Sequence, residues 1–213
     1  MNDIRIDWII LLVAVITGFS IKTRPSFPYL RTIPLLLLLS LSVELVARYY
    51  RVRSINNLWL VNLYSVIELC YFAYTLYLIL RKTFVLRLMV LIACCCLIDI
   101  FLVHGLKTFH TYSYTFSVLI IVYVCIYYYY HTFKEAQVDN LLKEPSFWIV
   151  TGLLVFYATS LSVAGVFNFI ATLPKEMIRL TRSIILFVNG VFYIILIIAF
   201  VCQINTRKSI PNS

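Results

Sequence analysis

Long apolar runs broken by short polar segments recur from one end of this chain to the other. A helix that crosses a hydrocarbon core of about 30 Å needs about 20 mostly apolar residues. Runs of roughly that length fall at 4–21, 32–48, 58–80, 85–103, 112–130, 147–170 and 183–204. The pattern predicts an all-α, polytopic transmembrane helix bundle of seven spans forming a single domain. The first run is the shortest: its uninterrupted part reaches only from Trp8 to Ile21, about 21 Å of helix. It must borrow residues 4–7 or cross a thinned bilayer. No small-x-small cleavage pattern follows it, so it is expected as an uncleaved first span. Trp8, Trp59 and Trp148 each open a span, the interfacial position that suits an amphipathic ring. Pro34 is expected in the first turn of span two, where proline is tolerated. Residues 132–146 make the longest connection and are expected to hold a short surface helix.

Polar residues inside the runs are few, and their placement is not uniform. Beyond Asp7 at the start of the first run, three acidic residues, Glu44, Glu68 and Asp99, lie within spans. Glu68 sits near the middle of span three, where no loop can solvate it. Asn57, Tyr64, Glu68 and Thr75 follow one another at steps of seven, four and seven, which places them along one helical stripe. Such a stripe should face protein or a water-filled cavity, because an ionisable group at a helix centre costs about 3 kcal/mol on insertion scales. Glu44 precedes Arg48 by four residues, the favourable order for a helical ion pair. Asn168 falls late in span six and Asn189 early in span seven, with Tyr193 one turn deeper. In an alternating bundle these positions, with Asn57 and Asp99, share the half of the membrane that holds the N-terminus. The expectation is a polar cavity opening on that side, with Glu68 near its floor. Serines and threonines are expected to serve mainly as hydrogen-bonding glue between helices.

Composition narrows the class. Hydrophobic residues make up 62% of the 213 positions and charged residues only 13%, against about a quarter charged in soluble domains. The net charge of +9 does not mark a nucleic-acid binder, because the basic residues punctuate the ends of apolar runs. That arrangement matches side chains that snorkel to lipid headgroups, so membrane lipids are the expected partner. Ten basic residues fall on the side away from the N-terminus and eight on the N-terminal side. The positive-inside rule then predicts the N-terminus outside and the C-terminus in the cytoplasm. The six cysteines lie within apolar runs and form no CxxC pair. Consecutive helical residues such as Cys94, Cys95 and Cys96 point about 100° apart and cannot converge on one ion, so no metal and no cofactor is expected.

The chain has no P-loop, dinucleotide-binding glycine pattern or GxSxG elbow, and span seven has no lysine for a retinal Schiff base. Glu44-Leu-Val-Ala-Arg48 resembles half of the EExxxR motif of intramembrane CAAX-type proteases. Position 43 is Val and the companion histidine motifs are missing, so water activation has no apparatus, and no catalytic residue is assigned. The segment from Asn56 through Asn62, Tyr64 and Glu68, in a short seven-span chain, resembles small inner-membrane proteins of the Bacteroidota type. That resemblance implies residence in a bacterial cytoplasmic membrane and carries over no activity. The residues favour a small-molecule, ion or lipid binder, acting as a transporter or as a sensor with a membrane partner protein. Its expected site comprises Glu68, Tyr64, Asn57, Asp99, Glu44, Arg48, Asn168 and Asn189. An intramembrane lipid-modifying enzyme using Glu68 or Asp99, and a structural subunit of a membrane complex, are the alternative classes.

Overall fold

A computed structural model describes residues 6–21, 27–106, 108–135, 140–167 and 174–208. Among these, seven α-helices carry the fold: α1 (Ile6–Ser20), α2 (Pro28–Val52), α3 (Leu58–Leu80), α4 (Thr83–Ile98), α5 (Thr111–Glu135), α6 (Pro145–Phe167) and α7 (Lys175–Lys208). Six are long and apolar enough to cross a membrane, α4 being extended for this purpose by the residues that follow it, and α1 is a shorter apolar helix. Large apolar side chains point outward on every helix, among them Ile16, Leu35, Leu63, Leu91, Tyr123, Val155 and Phe187. In water such a surface would aggregate; in a bilayer it is the surface that lipid solvates.

The ends of the helices differ from the expected spans in instructive ways. The second helix begins at Pro28, not near residue 32. Pro28 occupies the first helical turn, where its missing N–H is harmless, and Pro34 falls inside the helix. The fourth span continues beyond α4 as a π-helical segment, Asp99–His104, and stops at Gly105, whose φ of 72° turns the chain away. Extra residues per turn of this kind are uncommon and re-aim the side chains that follow. The last helix starts eight residues before the expected span, at Lys175. In the connection after α5, the described residues form a single 3₁₀ turn, Leu141–Lys143, instead of a surface helix. The reversal between α3 and α4 is abrupt. Arg81 takes a left-handed conformation, φ 53°, and its N–H returns to the Tyr77 carbonyl at 2.7 Å, a helix stop usually given to glycine.

Packing arranges α1, α2, α3, α5, α6 and α7 as a ring, in which α1 touches both α2 and α7 and so closes it. The fourth helix lies outside, against α3 and α5. Only 28% of its apolar window is buried, against 33–39% in the other five long helices. The tightest approaches lie in the half of the bundle away from the N-terminus. A methyl group at Gly18 would meet the Pro34 ring at 2.6 Å and Phe200 at 3.0 Å, and one at Gly152 would meet Ile195 at 3.0 Å. In the same half, Tyr71 donates to Thr32 at 2.6 Å, Tyr129 donates to Thr151 at 2.6 Å, and Tyr128 meets Ser146 at 3.2 Å. Every one of these pairs ties two helices together.

Candidate functional site

The other half is built around a cavity of about 500 Å³ lined by residues of α2, α3, α5, α6 and α7 and by Phe109. Its polar spine is the face of α3. Tyr64 donates to Glu68 Oε1 at 3.2 Å, one turn apart on the helix. Tyr64 has a single hydroxyl proton, so the close contact between Tyr64 and Ser40 of α2 is donated by the serine. The three groups form a directed relay, Ser40 to Tyr64 to Glu68, that ends on the carboxylate. Among the described residues Tyr64 is the one hydrogen-bond donor to Glu68, which leaves acceptor positions facing the cavity.

Below Glu68 the space is closed by aromatic rings. Phe72 meets Phe192 edge-on at 5.6 Å, and Phe192 stacks on Phe156 at 4.9 Å. Behind them lies Tyr157, which is 0% exposed, packs edge-on against Phe72 and Phe156, and has a hydroxyl without a hydrogen-bond partner among the described residues. Tyr64, Tyr114 and Tyr157 all lie close enough to Glu68 to feel its charge.

The upper part of the cavity is more polar. Asn57 precedes α3, and its Nδ2 donates to the Ala47 carbonyl at 3.3 Å; Arg51 Nε reaches the same carbonyl at 3.4 Å. Asn57 thereby ties the start of α3 to the last turns of α2. Asn189 and Tyr193, one turn apart on α7, face them across the space.

Of the eight residues expected from the sequence, Glu68, Tyr64, Asn57, Glu44 and Asn189 line this one cavity. Asn168 lies outside the described residues. Arg48 and Asp99 are elsewhere. The guanidinium of Arg48 lies over the Trp8 ring of α1, 4.9 Å from its centroid, while Glu44 lines the cavity. Asp99 is buried and accepts the Ser113 backbone N–H at 2.9 Å. It places a negative charge on the first turn of α5, where backbone donors lack partners and the helix dipole favours an anion. It is not among the residues that line the cavity around Glu68.

One polar cluster joins residues that the sequence did not pair. Asn62 Nδ2 donates to the Thr108 carbonyl at 2.8 Å, which turns its Oδ1 toward His110 Nδ1 at 3.1 Å. The other ring nitrogen of His110 lies 3.2 Å from Ser65 Oγ. His110 is fully buried, so this cluster pins the chain before α5 to α3 immediately behind the cavity wall. The threonines and serines divide between two roles. Thr159 and Ser160 bond back to carbonyls four residues earlier in their own helix, at 2.9 and 2.8 Å, while Ser40, Thr32 and Thr151 bond across to neighbouring helices. Arg51, Phe109, Tyr114, Phe156, Ser160 and Phe192 line the cavity without having been singled out beforehand. Comparison with family profiles, curated proteins and solved structures finds no match to this chain.

Proposed function

We propose that this membrane protein binds a small molecule in the cavity above Phe72 and Phe192, as the binding step of a transporter or a membrane sensor. The observation that carries the reading is Glu68: a carboxylate deep in a helical bundle, with acceptor capacity left over, facing a space of about 500 Å³. That volume lies within the range of roughly 300–1,000 Å³ typical of small-molecule sites. A mostly apolar wall with a few convergent polar groups is the usual composition of such sites. Asp99 is committed to α5 and no histidine lines the cavity among the described residues, so the same geometry gives little support to acid–base chemistry on a lipid. The reading includes residence in a bacterial cytoplasmic membrane, with the cavity half away from the cytoplasm, and basic span borders that contact lipid headgroups.

Thermal unfolding of the purified protein in detergent, screened against a library of small amphiphiles, tests this. A ligand at 100 times its Kd stabilises the folded state by about 2.7 kcal/mol. Compounds that raise Tm in the wild type should fail to do so in Val61→Phe, which places a ring in the cavity. A library without stabilising compounds, or hits that act equally on Val61→Phe, would refute the proposal.

A further inference from the structure

Resting on the reading that this cavity binds a small molecule, the geometry points to a chemical class: an amphipathic organic cation, with an ammonium group held against Glu68 and an apolar body between the aromatic walls. Three observations converge on it.

The first is the balance of charge. Glu44 and Glu68 line the cavity against one cationic side chain, Arg51, among its described lining residues. An anionic ligand would add to that excess of acidic groups in a space of low dielectric, where like charges repel strongly. The second is hydrogen bonding. An ionised carboxylate only accepts, and Glu68 receives one donor, Tyr64. A ligand whose polar end donates complements it, and a charged N–H donor makes the stronger bond. The third is the wall. Phe72, Phe156, Phe192, Tyr64 and Tyr193 surround the same space, and aromatic faces attract a desolvated cation. A neutral ligand would use the aromatic surface and make only the weaker, uncharged hydrogen bond to Glu68.

The test uses three probes that share one apolar body and differ in the head group: 3,3-diphenylpropylammonium, 3,3-diphenylpropanol and 3,3-diphenylpropanoate. Binding is measured calorimetrically at neutral pH on the full chain in nanodiscs, with empty nanodiscs subtracted. The ammonium should bind the wild type at least about tenfold more tightly than the alcohol, and the carboxylate should bind weakest. Glu68→Gln should lose about tenfold in ammonium affinity and leave the alcohol unchanged. Should Glu68→Gln fail to fold, Phe192→Leu supplies the second readout, weakening the ammonium more than the alcohol. Equal affinities for ammonium and alcohol would overturn the cation assignment and leave small-molecule binding standing. Binding of the ammonium that Glu68→Gln and Phe192→Leu leave unchanged would overturn it too. Failure of all three probes would also overturn it, and the melting screen then decides the wider reading separately.

Discussion

The two halves of this bundle use the same kinds of residue to opposite ends. In the half away from the N-terminus, tyrosine hydroxyls are spent on other helices: Tyr71 on Thr32, Tyr129 on Thr151, Tyr128 on Ser146. Small residues there let backbones approach until no methyl group would fit at Gly18. In the cavity half, Tyr64 donates its hydrogen bond to Glu68 on its own helix, beside open space, and takes one from Ser40 of α2. Lipid offers helices no hydrophobic drive to associate, so close packing and interhelical hydrogen bonds must hold them. Both halves make such bonds; the closed half adds the tight approach at Gly18, and the other half encloses a cavity.

The contrast makes a ranked set of predictions for purified variants followed by thermal unfolding. The largest effect belongs to the closed half. Gly18→Ala drives a methyl group into the Pro34 ring and should cost about 1–3 kcal/mol. Its counterpart in the cavity half, Gly190→Ala, meets Ile10 at an ordinary 3.6 Å. Replacing a mid-helix glycine relieves backbone entropy worth roughly 0.5–1 kcal/mol, so its Tm should hold or rise. Equal losses from both would break the comparison. Next comes Tyr71→Phe, which removes a buried interhelical bond and should cost about 1 kcal/mol. Tyr64→Phe faces the cavity, where water can take over, and should cost less than half as much. The smallest effect is Tyr157→Phe. Its hydroxyl is buried without a partner among the described residues, so removing it should leave Tm unchanged or raise it by up to about 1 kcal/mol. A clear loss there would mean that Tyr157 makes a bond worth having.

The span pattern was legible because membrane helices must satisfy their own backbone and face lipid, which writes long apolar runs into the sequence. The α3 stripe was legible for a related reason: Asn57, Tyr64 and Glu68 are the departures from apolarity on a central helix, and helical periodicity puts them on one side. The partners of Asp99 and Arg48 were not legible because tertiary packing sets them. Arg48 lies over Trp8, on a helix forty residues earlier in the chain. Asp99 found its use only where the π-helical turn and the start of α5 bring Ser113 to it. Phe72, Phe156 and Phe192 could not be picked out, because an aromatic ring lining a cavity and one facing lipid look alike in sequence. Asn189 and Tyr193, one turn apart, were visible for the same reason as the α3 stripe. The cluster of Asn62, His110 and Ser65 joins residues more than forty positions apart, beyond any local periodicity.

The contact of α1 with α7 that closes the ring has a consequence for how the protein is made. Synthesis is vectorial, at roughly 5–20 residues per second. The third helix, with Glu68, is complete on the order of ten seconds before the final helix that supplies Asn189, Phe192 and Tyr193. During that interval the nascent chain is an open arc in the membrane, with its carboxylate spine lacking the opposing wall. The insertion machinery or neighbouring lipid headgroups must shelter Glu68 until the last helix arrives, so a chain stalled before residue 175 is the species on which quality control should act.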